Sequence, residues 1–348
     1  MTTTIPLPEP RTDRGLRGLM WLTWRQHRWF LLGALAATVV VLAAMLWSRS
    51  GLRELVSTME ATRCDQPGQA SCSPDLASDR GFYNTFVTAL LWYVPVGFTT
   101  VVAVFVGAPL VTREYEQETH LLTWSQGITP DRWFLTKTAV LAAAIAVLAL
   151  VLGTAADSLA SAHRAIPEYV QGNIAWEDRY FEASAPILLS YTLFALALGL
   201  AAGALVRRTL PAMAITLAAF TGTRWIVGGL RPYFLPPNEL LQPLTLPIKT
   251  PDWGPDLPEA IYFGYADAAG NKMTDLTQCT QPAQMSNSEW RSALTTCLND
   301  HGAVNYLHQW QPASRVPTFQ LIETGIFVAL AAVLFVIAWR RVHTRTTI

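Results

Sequence analysis

The chain reads as an all-α polytopic membrane protein. It has six transmembrane helices, an N-terminal interfacial helix, and a disulfide-containing extracytoplasmic loop subdomain between the fifth and sixth spans. Three observations carry that reading. Of 348 residues, 51% are hydrophobic and 14% charged, where a soluble domain carries about 25% charged residues. The apolar residues gather in six blocks that each approach the roughly 20 residues a membrane-crossing helix needs. The four cysteines, Cys64, Cys72, Cys279 and Cys297, all fall between blocks. One or two such blocks could belong to a soluble core, but six require a bilayer. The formal net charge is zero, so no global basic field exists for nucleic acid.

Taken in order, residues 1–13 are polar and Pro-containing and read as a disordered cytoplasmic tail. Residues 14–29 read as an amphipathic helix. At 100° per residue Leu16, Leu19, Met20, Thr23, Trp24 and His27 fall on one side, and Arg14, Arg17, Arg25 and Arg28 on the other. A basic amphipathic helix joined to a span lies in the lipid headgroups, with Arg17, Trp24, Arg25 and Arg28 as its anchors. The first span, Phe30–Trp47, is bounded by Trp29, Phe30 and Trp47 as an aromatic belt requires. No A-x-A-like cleavage site follows it, so it reads as uncleaved. The loop behind it starts helically at Leu52, Leu55, Val56 and Met59 and then turns Pro/Gly/Ser-rich through Asp79.

The second span, Thr85–Val111, contains Pro95, Gly97, Gly107 and Pro109, which predict kinks or breaks. A charged hairpin follows, with its core at residues 112–134. It carries Arg113 and the alternating carboxylates Glu114, Glu116 and Glu118, then the apolar Leu121, Leu122 and Trp124. It turns at Gly127–Pro130 and returns through Arg132 to Lys137. Hung between two membrane-length blocks, it must sit in water at the bilayer surface. Its carboxylates can pair with Lys or Arg of a soluble partner while the leucines supply an apolar anchor. The third span, Phe134–Leu159, is rich in Ala, which permits close helix approach. Asp157 near its outer end reads as interfacial. The fourth and fifth spans, Ala185–Val206 and Leu210–Leu230, are separated only by Arg207, Arg208 and Thr209. Pro211 suits the first turn of the fifth. Residues 231–318 are dense in Pro and Trp and show one helical stretch, Ser288–His308, but no assignable fold. The sixth span, Phe319–Trp339, lies in a segment of residues 319–340, and a short cytoplasmic tail, 341–348, ends the chain.

Lys and Arg set the orientation. They are dense in four short segments: Arg11–Arg28, Arg113–Lys137, Arg207–Arg208 and Arg340–Arg345. They are sparse in the intervening loops, which places both termini in the cytoplasm of a plasma-membrane protein. Cysteines confined to the exported loops are what disulfides in an oxidising compartment produce. Four cysteines allow three connectivities, and the local pairs Cys64–Cys72 and Cys279–Cys297 are favoured over free thiols.

The chain has no G-x-x-x-x-G-K-[ST] phosphate loop, no H-E-x-x-H and no G-x-S-x-G. It therefore reads as non-enzymatic, with no catalytic residues and no nucleotide cofactor of its own. Cys279, Cys297, His301 and His308 have no standard metal-site spacing, and a cystine would remove both thiolates, so no metal is expected. Arg224 and Glu323 are the intramembrane ions. Such charges face the bundle interior or pair, and they read either as a gate or pathway element or as a structural ion pair.

The charged hairpin resembles the ABC-2 (type V exporter) permease family. There the second span ends in a run like E-x-E-x-G-T, followed by an amphipathic coupling helix, a turn, an Arg and a Lys. The matching residues are Glu114, Glu116, Thr119, Leu121, Leu122, Pro130, Arg132 and Lys137, with Glu118 where the family has Gly. Thr23–Arg28 before the first span, and Gln311–Arg315 with Phe319–Glu323 at the sixth, resemble the actinobacterial branch. The resemblance implies a half-transporter in the lipid bilayer. A second permease chain, identical or not, would complete the pathway. A separate ABC ATPase subunit, holding ATP and Mg, would dock on Glu114, Glu116, Glu118, Leu121, Leu122 and Arg132. A membrane sensor or scaffold that binds a ligand through its outer loop is the alternative.

Overall fold

A computed structural model of the chain describes residues 12–62, 73–118, 129–166, 174–244, 259–273, 276, 279 and 287–344. Six helices among them are long and apolar enough to cross a membrane. The chain divides into two compact units. The first comprises Met1–His163, Asp178–Ile226 and Gln320–Ile348, and the second Arg164–Glu177 and Val227–Phe319.

In the first unit, α1 runs without interruption over Thr12–Thr62. The sequence reading separates an interfacial helix at residues 14–29 from a span beginning at Phe30. The structure runs both into one helix, because no proline or C-cap at that junction stops it. The same helix carries on past Trp47, and Leu52, Leu55 and Met59 are buried. Next come α2 (Pro74–Val101), a π-helical segment (Val102–Gly107) and α3 (Ala108–Glu116), which together form the second span. Ser73 caps α2, its side chain accepting from the Leu76 N–H at 3.3 Å. The prolines do not break this span. Thr99 donates to the Pro95 carbonyl at 2.8 Å. The π-segment takes up the disturbance ahead of Pro109, with the Ala108 N–H reaching back to the Ala103 carbonyl. Such segments let a helix continue through an irregularity that would otherwise interrupt it.

The third span is α4 (Pro130–Arg164), followed by the short α5 (Asp178–Phe181). The fourth and fifth spans are α6 (Ala185–Val206) and α7 (Thr209–Leu230). Helix α6 is the centre of the unit, with Ile187, Leu188, Tyr191, Phe194 and Leu200 buried around it. It meets the π-segment through glycines. A Cβ on Gly199 would lie 2.6 Å from the Ala108 nitrogen, and one on Gly203 2.8 Å from the Ala108 carbonyl oxygen. One on Gly107 would lie 2.8 Å from the Leu196 carbonyl oxygen. Gly199 and Gly203 form a G-x-x-x-G pair, whose missing side chains let backbones touch where lipid supplies no hydrophobic drive. The sixth span is α9 (Val316–His343), which stacks Phe335 on Phe134 of α4 at 5.7 Å.

The sequence reading assigns no fold to residues 231–318. The second unit holds a four-stranded antiparallel sheet there, in the order β1-β4-β2-β3. The strands are β1 (Asn238–Pro243), β2 (Glu259–Ala266), β3 (Lys272–Met273) and β4 (Asn305–Gln311). Helix α8 (Asn287–Asp300) precedes β4. The helical stretch expected over Ser288–His308 therefore stops at Asp300. Gly302, at φ +82, turns the chain, and Asn305–His308 joins the sheet. Leu294, Leu298 and Ala303 form the unit's core with Tyr265, Met273 and Cys279 against them.

Candidate functional site

Two clusters of polar side chains stand out in the first unit. One gathers where α3 ends and α4 and α7 begin. Helix α6 closes on Arg207 at φ +60, with its N–H bonded to the Gly203 carbonyl at 3.0 Å. That tight turn delivers Thr209 to the end of α3. The Glu116 carboxylate accepts from the Thr209 N–H at 2.8 Å and from its hydroxyl at 2.7 Å. Thr112 and Thr209 share a hydroxyl–hydroxyl bond of 2.9 Å. Arg207 sits 5.2 Å over the Tyr115 ring. Glu116 thus supplies the acceptor for the first orphan N–H of α7, where a negative charge also meets the favourable end of the helix dipole.

Two residues back, Glu114 forms an ion pair with Lys137 of α4, both largely buried. Lys137 also lies 5.4 Å over the Trp133 ring. Thr129 caps α4 ahead of Pro130, its hydroxyl accepting from the Arg132 N–H at 3.4 Å. Asp131 accepts from Trp339 Nε1 at 3.0 Å and bonds His343 Nδ1 at 2.9 Å, tying α4 to the end of α9. The sequence reading assigns Glu114 and Glu116 to contact with a partner protein. The structure engages both within the chain, since each has an oppositely charged or donating group at the neighbouring helix end. Glu118 and Arg132 are exposed. Glu118 adopts φ +52, the left-handed conformation that favours glycine, at the position where the resemblance noted in the sequence implies Gly. Leu121 and Leu122 lie outside the described residues.

The second cluster surrounds Arg224 and Glu323. Arg224 pairs with Glu182, which follows α5, and stands 4.7 Å over the Tyr191 ring and 5.7 Å over the Phe220 ring. The Tyr191 hydroxyl donates to Glu323, which is fully buried. Phe327 packs edge-on to Tyr191 at 4.5 Å and to Phe194 at 5.2 Å. The structure therefore brings Arg224 and Glu323 into one chain of contacts, Glu182–Arg224–Tyr191–Glu323. Asp157 is exposed.

On α1, Trp24, Arg25 and Arg28 are exposed, and Arg17 lies on the same helix. Arg25 stacks over Trp21 at 5.2 Å and Arg28 over Trp29 at 5.3 Å. In the second unit Cys279 and Cys297 form a disulfide, while Cys64 and Cys72 lie outside the described residues. His301 comes close to that pair, but both sulfurs are already bonded to each other. Sequence reasoning missed four participants. Thr209 and Glu182 were read as loop residues, although each lies at a helix end opposite a complementary group. Gly199 and Gly203 carried a readable signal in their four-residue spacing.

Residues 35–231, more than half of the chain, match the family described as ABC-2 membrane transporter related. No curated protein and no solved structure matches the chain. The matched segment takes in nearly all of the first five spans, with the residues of both polar clusters except those on α9, namely Glu323, Phe327, Trp339 and His343. With that match and six membrane-length helices, the chain belongs to the ABC-2 membrane transporter related family.

Proposed function

We propose that the chain is the permease subunit of an ATP-binding cassette exporter, driven by a separate ATPase subunit that holds ATP and Mg. Two permease chains form the pathway in the plasma membrane, with both termini in the cytoplasm. The observation that carries this reading, beside the family, is the braced junction at the end of α3. Glu114 and Glu116 lock that end to α4 and α7. A push on the following segment then moves several spans together instead of bending a loop. Glu114 and Glu116 are positioning residues, and the ATPase contact falls to Glu118, Leu121, Leu122 and Arg132. Arg224 and Glu323 belong to the gate through which substrate leaves.

The test is co-purification with a phosphate-loop ATPase expressed alongside the permease. Leu121→Asp with Leu122→Asp removes the ATPase from the purified complex, while Glu116→Gln leaves it bound. Retention of the ATPase by the leucine double variant sinks the assignment. A second reading, a sensor that binds a ligand through the second unit, draws on that unit's own sheet, core and disulfide. Substrate-stimulated ATP hydrolysis in the reconstituted complex separates the two, because a sensor produces none.

A further inference from the structure

The groups around Arg224 form a receptor for a cation. Its guanidinium is held by one carboxylate, Glu182, and by two ring faces, Tyr191 at 4.7 Å and Phe220 at 5.7 Å. Carboxylates and ring faces bind a guanidinium or ammonium group whether or not it belongs to the chain. Tyr191 gives its proton to Glu323. Its oxygen therefore keeps only lone pairs for a neighbour, which again suits a cation.

Arg224 fills this receptor imperfectly. Among the described residues its buried Nε–H has no acceptor. The side chains of Arg224 and Glu182 remain 14% and 12% exposed, so the pair is shielded but not sealed. Arg224 also lies six residues before the end of α7 at Leu230, about 9 Å along the axis. From there its long stem can carry the guanidinium to the headgroup layer. Removing one member of a buried ion pair is the costly way to break it. A second cation arriving at the same place removes that cost, and a neutral or anionic molecule does not. We propose that a cationic substrate exchanges with Arg224 at Glu182 and Tyr191, so that the exported molecule is an apolar compound bearing an ammonium or guanidinium group. The word substrate rests on the export reading, whereas the cation site stands without it.

The experiment measures binding to the full chain in non-ionic detergent, without the ATPase. The probes are octylguanidinium and its uncharged counterpart octylurea. Octylguanidinium raises the melting temperature in a saturable way, and octylurea does not. Arg224→Gln removes the internal competitor and lowers the half-saturating concentration about tenfold. Its loss of stability is recovered by octylguanidinium and not by octylurea. Where this variant fails to fold alone, octylguanidinium added at solubilisation recovers it. Adding Glu182→Gln to Arg224→Gln raises the half-saturating concentration again, by about tenfold. Arg224→Lys, which keeps a competing charge, responds as the unaltered chain does. Equal responses to the two probes, or a response to octylguanidinium that is the same in all of these variants, overturns the proposal. In the reconstituted complex octylguanidinium stimulates ATP hydrolysis. Binding as described with no stimulation overturns the substrate assignment. Binding as described by a chain that recruits no ATPase supports the cation site and overturns the export reading.

Discussion

Glu116 caps α7 across 93 residues of sequence, its two carboxylate oxygens taking the backbone N–H and the hydroxyl of Thr209. The contact joins the end of the second span to the start of the fifth. Glu116→Ala and Thr209→Ala are each expected to lower the melting temperature of the purified chain in detergent. The double variant is expected to be no worse than the poorer single one, because both remove the same contact. Additive losses would show that the two residues act separately.

The Glu114–Lys137 pair is mostly removed from water. Lys137→Ala leaves a buried carboxylate without its cation, which costs about 3–5 kcal/mol. Exchanging the charges, Glu114→Lys with Lys137→Glu, is expected to recover most of that loss in thermal unfolding. Failure of the exchange to recover any of it would mean that Lys137 matters through its packing on Trp133.

Around Glu323 the informative comparison is between two substitutions. Glu323→Gln keeps an acceptor for the Tyr191 hydroxyl, whereas Glu323→Leu removes that acceptor. The leucine variant is expected to be less stable than the glutamine variant by about 0.5–1.5 kcal/mol, the net worth of the lost hydrogen bond. If Glu323 also serves a gate, the glutamine variant folds normally and loses substrate-stimulated ATPase activity in the reconstituted complex.

Gly199 packs against the π-segment with no room for a Cβ. Gly199→Ala forces α6 away from Ala108 and is expected to lower stability, although alanine is the better helix former. Gly228→Ala, where nothing lies within 4 Å, is the control and is expected to stabilise or be neutral. The two substitutions moving stability in the same direction would count against the close approach.

In the second unit, His308 is buried between Phe263 and Tyr306, with ring centroids 4.3 Å and 5.1 Å away. Burial holds its pKa below the ordinary 6.5. The unfolded chain therefore takes up the proton more readily. The stability contributed by neutral His308 is present above pH 6.5 and is lost as the pH falls through its lower folded value. The unit is expected to melt earlier at pH 5 than at pH 7, and His308→Gln is expected to flatten that dependence. Asp267 acts in a lower window. The Asn271 side chain holds its carboxyl below the usual value of 3.8, so its contribution is still present at pH 5.

The spans were legible because hydrophobic length in a bilayer is a one-dimensional property. Six apolar blocks predict six helices whatever their neighbours do, and the helices are there. The disulfide Cys279–Cys297 was legible for a related reason, since the two residues are 18 apart in one segment between the last two spans. The sheet was not. Pairing β1 with β4 requires residues 238–243 to meet 305–311, and nothing local in a Pro- and Trp-rich segment announces a non-local partner.

Polar residue types could likewise be picked out by eye, but their partners could not. Sequence placed Glu114 and Glu116 at a water-facing end and left them free for another protein. Only the folding of α6 and α7 brings Thr209 to Glu116, and only the return of α4 brings Lys137 to Glu114. Sequence marked Arg224 and Glu323 as too costly to stand alone in a membrane. Tertiary structure chose Glu182 for one and Tyr191 for the other. A charge's need for compensation is set by its medium, which composition reveals. The group that meets the need is set by which helix ends arrive together, which packing alone decides.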